Sequence, residues 1–109
     1  MSKKRIEYLN NQLATLLFNG EPGDYVANPE KVVWKASSII QKSMRFYRIS
    51  LTDGRFQIRL EPLKNGKVDR EHVVTKYVRL VEGKEAIQIC SVIVGVFEKY
   101  RKYILEEAL

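Results

Sequence analysis

The residues able to do chemistry in this 109-residue chain are either scarce or dispersed in every class but one. His72 is the single histidine and Cys90 the single cysteine. One histidine cannot build a multi-histidine metal site, and one cysteine cannot build a cysteine-rich zinc site. His72 follows Glu71 in a charged connection, where a surface histidine is expected rather than a general base. Cys90 lies in an apolar run and reads as a small buried hydrophobe. Thirteen carboxylates are dispersed, with no pair fixed by close helical spacing at an apolar position. Glycines fall at turn or packing positions, so no phosphate loop forms. Serines and threonines lack a His–Asp arrangement. The expectation is a protein that is not an enzyme and holds no metal or cofactor.

The exception is arginine. Residues 42–60 hold Lys42, Arg45, Arg48, Arg55 and Arg59 against Asp53 alone. That stretch carries +4 of the chain's net +6, and the isoelectric point is about 9.5. Guanidinium groups bind phosphate bidentately and stack on bases. A basic balance of this kind favours polyanionic partners. The plain alternative is a solvated basic sheet face.

What positions these arginines is the segment MRFYRISLT-DG-RFQIRLEPL, residues 44–63. Asp-Gly between two alternating runs signals a two-residue hairpin turn, because both central residues need positive φ. With a two-residue turn, Thr52 faces Arg55, Leu51 faces Phe56, Ser50 faces Gln57, Ile49 faces Ile58, Arg48 faces Arg59 and Tyr47 faces Leu60. Successive side chains point to opposite faces. Tyr47, Ile49, Leu51, Phe56, Ile58 and Leu60 make a core face. Phe46, Arg48, Ser50, Thr52, Arg55, Gln57 and Arg59 make a basic, polar face with one aromatic. Like charges placed opposite one another destabilise a sheet. The Arg48–Arg59 opposition is therefore a cost that a bound anion would relieve.

Helices must cover the core face. Ile6, Leu9, Leu13, Leu16 and Leu17 give one apolar stripe over residues 3–18, ended by Asn19-Gly20. Lys3, Lys4 and Arg5 start that helix or form a frayed basic arm. Asn28-Pro29-Glu30 starts a second helix reaching about Lys42, with Val32, Val33, Ala36, Ile39 and Ile40 as its stripe. Trp34 lies off the stripe and is placed at the edge of the core, with an exposed stacking platform as the functional alternative. Lys64-Asn65-Gly66-Lys67 signals a second tight turn. Residues 68–83 fit a helix or a strand. Because an isolated two-stranded hairpin is marginal, strands are favoured. A strand over VVTKYVRL followed by one over AIQIC would give a four-stranded antiparallel sheet. A last helix is expected from about Ser91 to Ala108. Gly95 within it implies either a close backbone neighbour or a later helix start. The apolar girth of residues 86–97 exceeds what one face needs, which offers a homodimer surface.

The expected fold is one α+β domain over residues 1–109. An antiparallel sheet of two to four strands, built on the Asp-Gly hairpin, is covered on one face by N-terminal and C-terminal helices. No intramolecular disulfide is possible, which fits a reducing, cytoplasmic location. The N-terminus lacks the apolar core of a secretory signal. The apolar, uncharged run from Ala86 to Phe97 has 12 residues, too few to span a bilayer.

Two functional readings result. In the first, single-stranded DNA or RNA lies on the basic face, with backbone phosphates on cations and bases stacked on aromatics. The candidate contacts are Arg45, Phe46, Arg48, Arg55, Gln57, Arg59, Lys64, Lys67, Tyr77 and Arg79. A curved meander followed by a long helix is similar in architecture to small single-strand-binding proteins of the Whirly type. In the second, the chain is a non-catalytic interaction or regulatory module, of the sort found in viruses or mobile elements. It would dimerise through its apolar C-terminal helix. Neither reading involves a membrane.

Overall fold

A computed structural model of the chain describes residues 3–43 and 46–100, with residues 43, 46–48, 52 and 64 described by backbone alone. Three helices and a three-stranded antiparallel sheet make up an α+β fold. Helix α1 spans Lys3–Leu17 and α2 spans Pro29–Ser43. The sheet strands β1 (Phe46–Thr52) and β2 (Arg55–Glu61) follow. Two short strands, β3 (Leu63–Lys64) and β4 (Lys67–Val68), pair only with each other. A single 3-10 turn, Arg70–His72, leads into β5 (Val74–Arg79), and α3 spans Glu85–Lys99.

Local chemistry explains the element ends. Gly20 N–H reaches back to the Ala14 carbonyl at 2.8 Å and closes α1, with Asn19 and Gly20 both at positive φ. The helix begins at Lys3, and the Arg5 guanidinium donates to Ser91 of α3 at 3.1 Å, tying the two helices together. The Asn28 side chain accepts from Lys31 N–H at 3.4 Å at the start of α2. Asn10 anchors the intervening loop by accepting from Val26 N–H at 2.9 Å and donating to Asp24 at 3.2 Å.

Sheet order is β1-β2-β5, so β2 is central. Asp53 and Gly54, at φ +35° and +71°, join β1 to β2. The register pairs Thr52 with Arg55, Ile49 with Ile58 and Arg48 with Arg59. Asn65 and Gly66, at φ +54° and +78°, make the turn between β3 and β4. β2 and β5 are thus the two sides of a long hairpin whose far end folds over into this small ladder. An Asp69 N–H to Pro62 carbonyl bond of 2.8 Å closes the base of the excursion.

On the inner face Phe56, Ile58 and Leu60 are fully buried. They join Leu9, Leu13 and Leu17 of α1, Val32, Ala36 and Ile40 of α2, and Ile89, Ile93 and Phe97 of α3 in one core. Burial of each such side chain is worth about 1.5–3 kcal/mol. Among the described residues, no helix is long and apolar enough to cross a membrane.

Five expectations need correction. Leu51, read as part of the core face, is 46 % exposed beside the Asp53-Gly54 turn. The sheet has three strands, because AIQIC is helical. Its buried residues Ile89, Cys90, Ile93, Val94, Val96 and Phe97 follow a helical period. Gln88 on the first turns accepts from Val81 N–H at 2.7 Å and donates to the Arg79 carbonyl at 3.0 Å, locking α3 to the end of β5. The last helix therefore starts at Glu85 rather than near Ser91, and the expected continuation to Ala108 lies, beyond residue 100, outside the described residues. Gly95 is mid-helix and exposed, and among the described residues nothing outside its chain neighbours and its own helix backbone lies within 4 Å of where its Cβ would be. Trp34 is 80 % exposed on α2 rather than seated at the core edge, because the stripe of Val32, Ala36 and Ile40 turns it outward.

Two outcomes follow for denaturant titrations. Gly95→Ala should stabilise by up to about 1 kcal/mol, since the alanine meets no obstacle and favours helix. Gly54→Ala should destabilise by at least about 1 kcal/mol, since its φ is positive. A third outcome concerns pH. Burial pushes the Cys90 thiol up from 9.0 to about 12. The unfolded chain then ionises this group first, so its contribution is complete below about pH 9 and is lost as pH rises towards 12. Cys90→Ala should lose less stability over that window than the parent chain, and equal pH slopes for the two would contradict this.

Candidate functional site

The face of the sheet opposite the core is where the sequence placed its arginines. On β2 the outward residues are Arg55, Gln57, Arg59 and Glu61, between the fully buried Phe56, Ile58 and Leu60. Strand β5 brings Tyr77 opposite Gln57, Arg79 opposite Arg55 and Thr75 opposite Arg59. Tyr77 is 55 % exposed, and Arg55 and Arg79 are exposed as well. An aromatic ring is therefore set among guanidinium groups, with the amide of Gln57 opposite it in the ladder. Alternate residues along a strand recur about every 6.6–6.8 Å. Arg55, Gln57 and Arg59 thus form a regular row.

The register juxtaposes like charges three times. Arg48 faces Arg59, Arg55 faces Arg79 and Lys64 faces Lys67. Opposed like charges cost a few tenths to about 1 kcal/mol a pair. At one end of the face the protein supplies its own relief. Arg59 Nε donates to Glu61 at 2.6 Å and Arg59 Nη1 donates to Thr75 Oγ1 at 3.1 Å. The Arg48–Arg59 opposition is therefore present, but an internal carboxylate offsets it, so that pair alone does not demand an external anion. At the other end, among the described residues, Arg55 and Arg79 have no carboxylate within ion-pair distance.

Beyond Glu61 the chain leaves the sheet and returns at Val74. This excursion and the end of the outer face enclose a cleft of about 490 Å³. It is lined by Arg59, Glu61, Val68, Arg70 and Val73. His72 lies next to it in sequence, exposed, with Nδ1 at 2.6 Å from the Asp69 carboxylate. Among the described residues, no group of three or more His, Cys, Asp or Glu side chains converges on a metal position.

The structure thus brings together Arg55, Gln57, Arg59, Tyr77 and Arg79 on one face. Lys67 is exposed on the β3–β4 ladder, beyond the Arg59 end of that face. Phe46, Arg48 and Lys64 are placed by backbone register only, and Arg45 lies outside the described residues. Sequence reasoning missed Glu61, Thr75, Arg70 and the two valines of the cleft. Thr75 was within reach, since it is two residues from Tyr77 in a strand pattern. Arg70 carries no such signal, because the turn that presents it has no sequence period. The chain matches no protein-family model, no curated protein and no solved structure.

Glu61→Gln tests the electrostatics of this face. Removing the carboxylate takes away the ion pair that holds Arg59, whose ladder position is opposite Arg48. The pair is part-exposed, so the loss of stability should be at most about 1 kcal/mol at low salt. It should shrink at roughly 0.5 M salt, where screening reaches the pair. A loss independent of salt would mean that Glu61 acts through packing instead.

Proposed function

We propose that the protein binds single-stranded nucleic acid on the outer face of its sheet. The observation that carries the reading is the Arg55–Arg79 pair, which has no carboxylate within ion-pair distance among the described residues, with exposed Tyr77 beside it. A sheet that tolerates this repulsion gains from a polyanion lying across it. Phosphates would be met by Arg55, Arg79 and Arg59, and a base would stack on Tyr77 while Gln57 offers both a donor and an acceptor. Stacking on an aromatic contributes about 1–3 kcal/mol per base and is tolerant of sequence. A sheet face that presents the exposed ring of Tyr77 suits unstacked bases better than the grooves of a duplex. Phe46, Arg48, Lys64 and Lys67 extend the same face and its rim, and Arg45 belongs to the same basic stretch. The reading includes no catalytic step, and it includes a cytoplasmic location, since the lone Cys90 permits no internal disulfide.

One observation favours a second reading, an interaction module that dimerises. Ser91, Val92, Gly95, Val96 and Lys99 of α3 line a shallow groove together with Lys76 of β5. A second copy seated there would cover the half-buried Val92 and the exposed Gly95. Sedimentation that reports a monomer at every concentration rejects this reading and leaves the first untouched.

Titration of labelled single-stranded DNA, RNA and duplex at two salt concentrations tests the first reading. Single strands should bind more tightly than duplex and weaken steeply with salt. Arg55→Ala and Arg79→Ala should each weaken binding and reduce the salt slope by about 0.7. Tyr77→Ala should lose about 1–3 kcal/mol while Tyr77→Phe loses little. No detectable single-strand binding at low salt would sink the proposal.

A further inference from the structure

The cleft beyond Glu61 has a chemistry that the rest of the face lacks. The exposed row offers cations, an amide and a ring, which any base or phosphate can use. The cleft adds a carboxylate set between arginines and half-buried valines. Its lining is Arg59, Glu61, Val68, Arg70 and Val73, around a volume of about 490 Å³. Because the carboxylate belongs to β2 itself, the cleft is continuous with the row that ends in Arg59.

We infer that this cleft takes a guanine base from the bound strand. The inference rests on the single-strand reading and names what that site selects. A carboxylate is an acceptor only, with two oxygens and about four acceptor positions. Glu61 uses Oε1 to hold Arg59 Nε at 2.6 Å, which leaves acceptor capacity for a ligand. Guanine alone among the common bases carries two neighbouring donors on its Watson–Crick edge, the ring N1–H and the 2-amino group. Adenine and cytosine each put a lone pair beside their amino group, and thymine and uracil flank one N–H with two carbonyls. Each of these would turn an acceptor towards the carboxylate. On its other edge guanine presents O6 and N7, both acceptors, which match guanidinium donors. Arg70 is exposed and Arg59 keeps donors beyond those given to Glu61 and Thr75. Val68 and Val73 supply apolar surface for the faces of the ring.

The experiment uses the full chain and labelled oligomers of about 12 nucleotides, a length within the usual range of site sizes. One is all thymine, and three others carry a single central guanine, adenine or cytosine. A single guanine avoids four-stranded structures. The guanine oligomer should bind on the order of tenfold more tightly than the other three. Replacing its guanine by hypoxanthine, which lacks the 2-amino group, should remove most of that gain. Glu61→Gln should abolish the preference, so that the guanine, adenine and cytosine oligomers bind alike. Arg70→Ala, at an exposed position, should reduce the preference and provides the test if Glu61→Gln fails to fold. Equal affinity for all four oligomers, or a guanine preference that survives Glu61→Gln, overturns this inference and spares the single-strand reading. Absence of binding to every oligomer overturns both.

Discussion

Thr52 meets Arg55 across a two-residue turn, and that register decides where every side chain of the sheet goes. Asp53 and Gly54 both hold positive φ, so no extra residue separates the strands. A slip of one residue would move Phe56, Ile58 and Leu60 from the core to solvent and bring arginines inward. The core resists this strongly, since all three are fully buried against the helices. Hydrophobic burial on one side of β2 thereby fixes a row of charge on the other. The repulsion of that row is a small term beside the burial that enforces it.

The two ends of the charged row differ. At the Glu61 end, Arg59 is held by a carboxylate and a threonine hydroxyl, so the local charge is compensated and its geometry fixed. At the turn end, Arg55 and Arg79 face each other without such a partner among the described residues. A held guanidinium is a positioning device, whereas an unrelieved pair is an electrostatic demand. Tyr77 sits between them and is exposed. This gradient along the face, from demand to specificity, is what links the general single-strand proposal to the guanine cleft.

The amino-acid pattern made the hairpin legible because turn chemistry and period-two alternation agree there. Helices α1 and α2 were legible for the same reason, with apolar stripes and end signals coinciding. AIQIC was misread because a short run of β-branched residues suits a buried helix as well as a strand. What decides it is Gln88 bonding the backbone of Arg79 and Val81, a tertiary contact with no local signature. The partner of Arg55 was invisible too, since the register of β5 depends on how the Pro62–Val73 excursion folds. The ion pair of Arg59 with Glu61 was open to inference, because residues two apart on a strand share a face. Arg70 entered the site only through the turn that precedes β5.

The most direct measurement of the central claim is a residue-resolved NMR titration of the full chain with an unlabelled single strand. The account predicts that the largest shifts fall on Arg55, Gln57, Arg59, Thr75, Tyr77 and Arg79, with the α1 and α2 signals and the Trp34 indole barely moving. Shifts centred on α2 around Trp34, or on the α3 groove, with the outer sheet face silent, would contradict it.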